Sequence, residues 1–160
     1  GLNRAENIDD YRTSRELVHE LIDVVSRGGN MLLNVGPTAD GRIPPLQQQR
    51  LLDIGDWLQV NGAAIYDSTV WRHAAENKQE KLRFTTVGDD LFVICLEWPT
   101  QDMVLSGIPD ADQVSVSMLG AKQAVPTGRR EGGLVITPPV VSPAETPCDH
   151  AYVFKVENGG

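Results

Sequence analysis

The chain has 160 residues and a mass of 17.5 kDa, enough for one ordinary domain or two very small ones. Its composition is globular, with 41% hydrophobic and 22% charged residues. The formal net charge of −8 argues against a surface for nucleic acid or anionic membranes, because both require clustered Lys and Arg. The apolar runs are shorter than the roughly 18 residues of a membrane span. The first ten residues lack the apolar segment of a secretory signal, which leaves the compartment open between secreted, periplasmic and cytoplasmic.

The cysteines and histidines favour structural roles over metal or redox chemistry. Cys95 and Cys148 lie far apart, and their spacing matches no zinc or redox motif. Cys95 is surrounded by apolar residues, which predicts a buried structural thiol. No histidine has a second His or Cys at ligand spacing, so no metal site is predicted.

The first predicted helix covers residues 15–27. Thr13 and Glu16 have the form of a capping box at its start. Apolar residues then recur at helical spacing and make one wide stripe: Leu17, Val18, Leu21, Ile22 and Val25. The glycine pair that begins at Gly28 ends the helix. Because such a stripe has to be covered, the helix requires a packing partner.

A buried strand and a second helix are predicted next. Residues 30–35 are an almost uninterrupted apolar run, typical of a strand buried on both faces in a parallel sheet. Turn residues fill 36–45, and a helix over residues 45–60 follows, with Ile54 and Trp57 on its apolar face. One helix–strand–helix unit cannot cover both sides of a parallel sheet, which favours the C-terminal piece of a larger fold.

After Trp71 the pattern changes to short strands separated by turns. Residues 72–81 are polar and are interpreted as a linker, and Gly88 begins a hairpin connection. Six strands are predicted, over residues 82–87, 91–97, 103–105, 114–119, 134–137 and 151–156. Their spacing is typical of a small antiparallel sandwich. The proline-rich stretch 138–147 is predicted to be irregular.

Four segments of the first 71 residues form a long pattern without gaps. They are Asn3-Arg4-Ala5-Glu6, the run from Leu21 to Pro37, Asp40-Gly41 with Ile43-Pro44, and the run from Gly55 to Trp71. In this combination the chain resembles the end of the catalytic domain of the family 29 glycoside hydrolases, the retaining α-L-fucosidases. Residues 82–157 fall where that family carries a C-terminal β-sandwich, with a weaker sequence signal.

The resemblance implies a multi-domain α+β fold. Residues 1–71 would be the terminal βα elements of a (β/α)₈-like barrel, residues 72–81 a linker, and residues 82–157 a small antiparallel β-sandwich. A barrel takes roughly 250 residues, so the chain would be a short form or C-terminal fragment. The implied activity is hydrolysis of terminal α-L-fucose from fucosides or fucosylated glycans by double displacement, with no metal or organic cofactor.

The resemblance also implies candidate catalytic residues. Retaining glycosidases use two carboxyl groups, one as nucleophile and one as acid/base. Glu6 falls on the acid/base position of bacterial members, with a surface glutamate near a chain terminus as the alternative. The family's nucleophile is not matched in this chain, which leaves Asp9, Asp10 and Asp40 as candidates. Leu2 stands where family members often carry an aromatic residue, which alters the expected shape of the sugar pocket.

Two other interpretations stay open at this point. The chain could be a non-catalytic carbohydrate-binding or assembly module, because one carboxylate cannot perform both steps. It could also be a reduced enzyme that recruits a new nucleophile or completes its site across a homo-oligomer, or that complements a missing barrel portion. Association through residues 15–60 is expected in either case, because bare apolar faces and unpaired strand edges invite pairing.

Overall fold

The computed structural model describes residues 10–108 and 114–160. Two helices lie on one face of a five-stranded antiparallel sheet, and a three-stranded antiparallel sheet covers the other face. Neither of the two α-helices in these ranges is long and apolar enough to cross a membrane.

Both predicted helices are confirmed. Helix α1 spans Ser14–Ser26, and its capping box forms as expected, with Thr13 and Glu16 bonding each other's backbone. Helix α2 spans Pro45–Asn61 and begins with its proline in the first turn, where no backbone N–H is required. A short 3₁₀ turn over Gly62–Ala64 follows it directly.

The predicted strand over residues 30–35 is wrong for this structure. These residues adopt no regular secondary structure, and Leu32 is 95% exposed. A strand requires a neighbouring strand to bond its backbone, and a parallel strand also requires cover on both faces. In the described ranges no strand pairs with this segment, so its apolar sequence cannot form a strand.

The second half forms the predicted antiparallel sandwich. All six predicted strands are present, and two short ones, Thr69–Val70 and Thr127–Arg130, were not predicted. In chain order the strands are β1 (Thr69–Val70), β2 (Leu82–Val87), β3 (Asp90–Cys95), β4 (Met103–Leu105), β5 (Val116–Met118), β6 (Thr127–Arg130), β7 (Gly133–Ile136) and β8 (Tyr152–Val156). The larger sheet has the order β1-β2-β3-β8-β5 and the smaller one β4-β7-β6. Both missed strands are exposed, so they lack the apolar alternation that marks a strand in sequence.

Strand β3 separates two hydrophobic cores. Leu91, Val93 and Cys95 face the core between the two sheets, and Phe92 and Ile94 face the helices. Because both faces are covered, β3 is apolar almost without interruption rather than alternating. Burial raises the pKa of the Cys95 thiol to about 12, which confirms the prediction of a structural thiol.

The apolar stripe of α1 is covered by the sandwich itself. Leu17, Val18 and Ile22 are buried against the core that contains Phe92 and Val153. The expectation that this stripe is a bare face that drives association is therefore wrong, because the five-stranded sheet already covers it. Leu21 is only partly buried at the edge of the same core.

Polar contacts fix both helices on the sheet. Trp57 of α2 donates its indole N–H to the carbonyl oxygen of Ala151, at 2.9 Å in the buried interior. Asp23 of α1 accepts from Arg83 of β2 at 2.8 Å and from Arg27 at 2.9 Å. Burial alone would raise the pKa of Asp23, but these two hydrogen bonds and the charges of the arginines lower it. Apolar packing and an ion pair between Asp23 and Arg83 therefore both hold the helices on the sheet.

Candidate active site

The sequence-predicted site residues fall into two groups. Glu6 and Asp9 lie outside the described residues, so the structure gives no geometry for them. Asp10 and Asp40 are described, and they lie in different surroundings. Asp10 lines a cavity at the N-terminal end of α1, whereas Asp40 lies in an exposed turn that does not contribute to that cavity.

The cavity at the N-terminal end of α1 has a volume of about 150 Å³. Three separate segments and Leu17 of α1 line it; the segments are residues 10–12 before α1, residues 33–35 after the glycine pair, and the first turns of α2. The fold thus places residues 33–35, which belong to the sequence pattern of the first 71 residues, beside segments that lie outside that pattern. Such convergence of separate segments on one concave surface is typical of ligand sites.

Hydrogen bonds from α2 hold the other two segments in place. Arg50 donates from its Nε to the carbonyl oxygen of Arg12 at 2.9 Å. Gln47, which is buried, accepts from the backbone N–H of Gly36 at 2.9 Å. Each bond joins α2 to the backbone of a different loop, so α2 holds both loops in place at the cavity.

A carboxylate of α2 bonds the first turn of α1. Asp53 of α2 accepts from the hydroxyl of Ser14 and from Gln49, and Arg50 lies 3.9 Å away. Those hydrogen bonds, from Ser14 foremost, lower the pKa of Asp53. Its carboxylate is consequently charged at neutral pH. Because Ser14 and Gln49 both bond to it, Asp53 serves to hold α1 against α2.

Asp40 is held by its own turn. Its carboxylate accepts from the Thr38 hydroxyl at 2.5 Å and pairs with Arg42 at 3.1 Å. The same Thr38 hydroxyl accepts from the backbone N–H of Arg42 at 3.1 Å, and Gly41 adopts the positive φ of +81° that closes the turn. These contacts give Asp40 a structural role in the loop, and the structure does not bring it together with Asp10.

Sequence reasoning missed the residues that shape the cavity. Tyr11, Arg12, Gln47 and Arg50 line it, but none belongs to a recognisable motif. Gln47 resembled an ordinary surface residue of a helix, and its burial was visible only in the structure. Across the two described ranges, no group of three or more His, Cys, Asp or Glu side chains could hold a metal ion.

Comparison with known proteins accounts for both halves of the chain. Residues 1–63 match the family model for α-L-fucosidase, and residues 75–157 match the model for the α-L-fucosidase C-terminal domain. The α-L-fucosidase of Branchiostoma floridae is 35% identical over 98% of this chain and 35% of its own length. The chain therefore spans about a third of the length of this curated relative.

Solved structures give the same result for the fold. The Thermotoga maritima α-fucosidase in complex with a mechanism-based inhibitor has a TM-score of 0.78 and 34% identity, over 98% of this chain and 37% of that one. A structure of the same enzyme in complex with fucose has a TM-score of 0.76, with 34% identity over the same shares of the two chains. With the C-terminal-domain model alone matching more than half of its residues, the chain belongs to the α-L-fucosidase family.

Proposed function

We propose that the chain is the C-terminal part of a retaining α-L-fucosidase. Residues 1–71 would end the catalytic barrel, residues 72–81 would link it to the next domain, and residues 82–157 would form the sandwich. The observation that carries the proposal is that the two family models match in this order across nearly the whole chain. The substrates would be fucosides or fucosylated glycans, in line with the complex of the Thermotoga maritima enzyme with fucose.

The proposed reaction needs two carboxyl groups about 5–5.5 Å apart. Glu6 would be the acid/base: it protonates the leaving oxygen in the first step and deprotonates the attacking water in the second. The nucleophile would come from a part of the enzyme that the relatives carry and that this chain does not match. Arg50 of α2 bonds the carbonyl oxygen of Arg12, six residues after Glu6, and this anchor in the described segment supports the proposal.

A comparison of the chain with a longer enzyme tests this proposal. Hydrolysis of an aryl α-L-fucoside is measured with the 160-residue chain and with a fucosidase that carries it at its C-terminus. We expect turnover from the longer enzyme and essentially none from the chain, because one carboxylate cannot complete a double displacement. Activity of the chain alone would require a nucleophile within it, to be identified by changing Asp9, Asp10 and Asp40 to Asn one at a time.

We also propose that the isolated chain associates with itself. Four leucines of the loop 30–35 and of α2 are exposed although they are apolar: Leu32, Leu33, Leu51 and Leu52. Leu33 and Leu51 line the same cavity, so part of this surface is contiguous. Contiguous exposed apolar surface is a common site of protein association.

Light scattering at increasing protein concentration measures this association. The expected mass is a multiple of 17.5 kDa, and the double variant Leu32→Ser, Leu52→Ser is expected to shift it towards the monomer. Val140→Ser is the matched control, because Val140 is fully exposed but lies in the sandwich. A monomer of 17.5 kDa at every concentration would contradict self-association.

A further inference from the structure

A groove of about 400 Å³ lies on the sandwich and shares no lining residue with the cavity at the N-terminal end of α1. It runs between the segment that follows β3, residues 98–102, and the segment that follows β7, residues 137–141. It belongs to neither the candidate catalytic residues nor the cavity at α1. Its lining combines one aromatic ring, three prolines, two valines, three uncharged polar side chains and the carboxylate of Asp102.

Trp98 forms the aromatic wall of the groove. The other two tryptophans, Trp57 and Trp71, are only 2% and 1% exposed, whereas Trp98 is half-buried. Its ring packs edge-on against Tyr152, with centroids 4.8 Å apart and an angle of 81° between the rings. This contact fixes the indole, so the groove presents a large, pre-oriented apolar surface.

Prolines stiffen both sides of the groove. Pro99 follows Trp98, and Pro138 and Pro139 stand opposite. The proline ring fixes the backbone angle φ, so these segments have few alternative conformations. A ligand that binds here would lose little free energy in ordering the walls, since they are ordered before it arrives.

The polar side chains of the groove favour an uncharged ligand. Asp102 accepts from the Thr137 hydroxyl at 2.8 Å and lies 3.4 Å from Arg130, so its charge is already compensated. Thr100 and Gln101 are exposed, and in the described part of the chain neither side chain has a hydrogen-bond partner. Their hydroxyl and amide groups can both donate and accept. An aromatic wall with neutral donors and acceptors beside it fits a sugar ring, which has one apolar face and a rim of hydroxyl groups.

The groove also lies near the N-terminal end of α1. Arg15, in the first turn of α1, donates to the carbonyl oxygen of Leu96 at 3.5 Å and pairs with Glu97 at 3.5 Å. Trp98 directly follows Glu97 in the chain.

We propose that the groove binds a neutral pyranoside. We further infer that its ligand is the sugar to which the cleaved fucose is attached, and this second step rests on the proposed function.

A titration with lactose, a neutral disaccharide, tests the binding site directly. The indole N–H resonances of the three tryptophans are recorded in the ¹⁵N-labelled chain, and Trp98→Phe identifies the one from Trp98. We expect that resonance alone to shift, with saturation in the millimolar range. The double variant Thr100→Ala, Gln101→Ala is expected to weaken binding about tenfold through the loss of two hydrogen bonds. Both replaced side chains are exposed and make no hydrogen bond within the described residues, so folding should not change.

Tyr66→Ala is the matched control, because Tyr66 is an exposed aromatic residue outside the groove and its loss should leave binding unchanged. Three results would overturn the site: no shift of Trp98, equal shifts of the buried tryptophans, or unchanged affinity in the double variant. Tighter binding of a glucuronic acid derivative than of lactose would overturn its preference for neutral sugars. None of these measurements depends on fucosidase activity.

A kinetic measurement tests whether the ligand of the groove is the sugar to which fucose is attached in the substrate. In an active fucosidase that carries this chain, the double variant is expected to raise KM for fucosyl-lactose several-fold and to leave both constants for an aryl fucoside unchanged. An unchanged KM for fucosyl-lactose in an active enzyme would refute the assignment and leave the proposed function intact. Absence of fucosidase activity would refute the proposed function and leave the lactose-binding result untouched.

Discussion

Glu6→Gln, made in an active fucosidase that carries this chain, is expected to lower turnover of natural fucosides by about 10²–10⁴-fold. A sugar is a poor leaving group, so its oxygen has to be protonated as the bond breaks, and glutamine cannot supply that proton. An activated aryl group leaves with little help, so its release should be much less affected. The difference between the two substrate types is the signature of an acid/base role.

Azide provides the second half of this test. A small anion needs no general base to attack the glycosyl-enzyme, so azide should restore turnover of the aryl fucoside by Glu6→Gln. Glu80→Gln serves as the control, because Glu80 is an exposed glutamate just before β2, where loss of the charge should change the turnover of neither substrate. If wild type and Glu6→Gln hydrolysed a natural fucoside at the same rate, Glu6 would have no part in the mechanism.

Trp57→Ala is expected to destabilise the chain by about 3–5 kcal/mol. Trp57 is 2% exposed, fills the core between α2 and the five-stranded sheet, and donates to the Ala151 carbonyl. Its removal leaves a large cavity, and the Ala151 carbonyl keeps only the weak thiol donor of Cys148. For a domain of this size, the midpoint of thermal unfolding should fall by about 10 °C.

Thermal or urea unfolding followed by circular dichroism measures this loss. Leu52→Ala is the matched control on the same helix, because Leu52 is 60% exposed and its truncation should change stability by no more than about 0.5 kcal/mol. A single shifted transition would mean that helices and sandwich unfold as one unit. A small effect of Trp57→Ala would mean that α2 contributes little to the stability of the isolated chain.

Two parts of the structure depended on contacts that no local sequence pattern contains. The apolar run 30–35 predicted a strand, but a strand forms only where another strand can bond its backbone, and none of the described strands lies beside it. The bond from Arg50 to the Arg12 carbonyl joins residues far apart in the chain. The candidate cavity could therefore not be predicted, although one of its segments, residues 33–35, belongs to the family pattern.

From the sequence alone one can predict the two helices, six of the eight described strands and the family. Helix ends follow from short-range chemistry such as the Thr13–Glu16 capping box, and the strands follow from short apolar runs that are bounded by turn residues. Two features are visible only in the tertiary structure: the five-stranded sheet covers the stripe of α1, and Trp98 lines a groove together with prolines. Amphipathic patterning states that a face must be buried, but the choice of partner depends on pairing between residues distant in sequence.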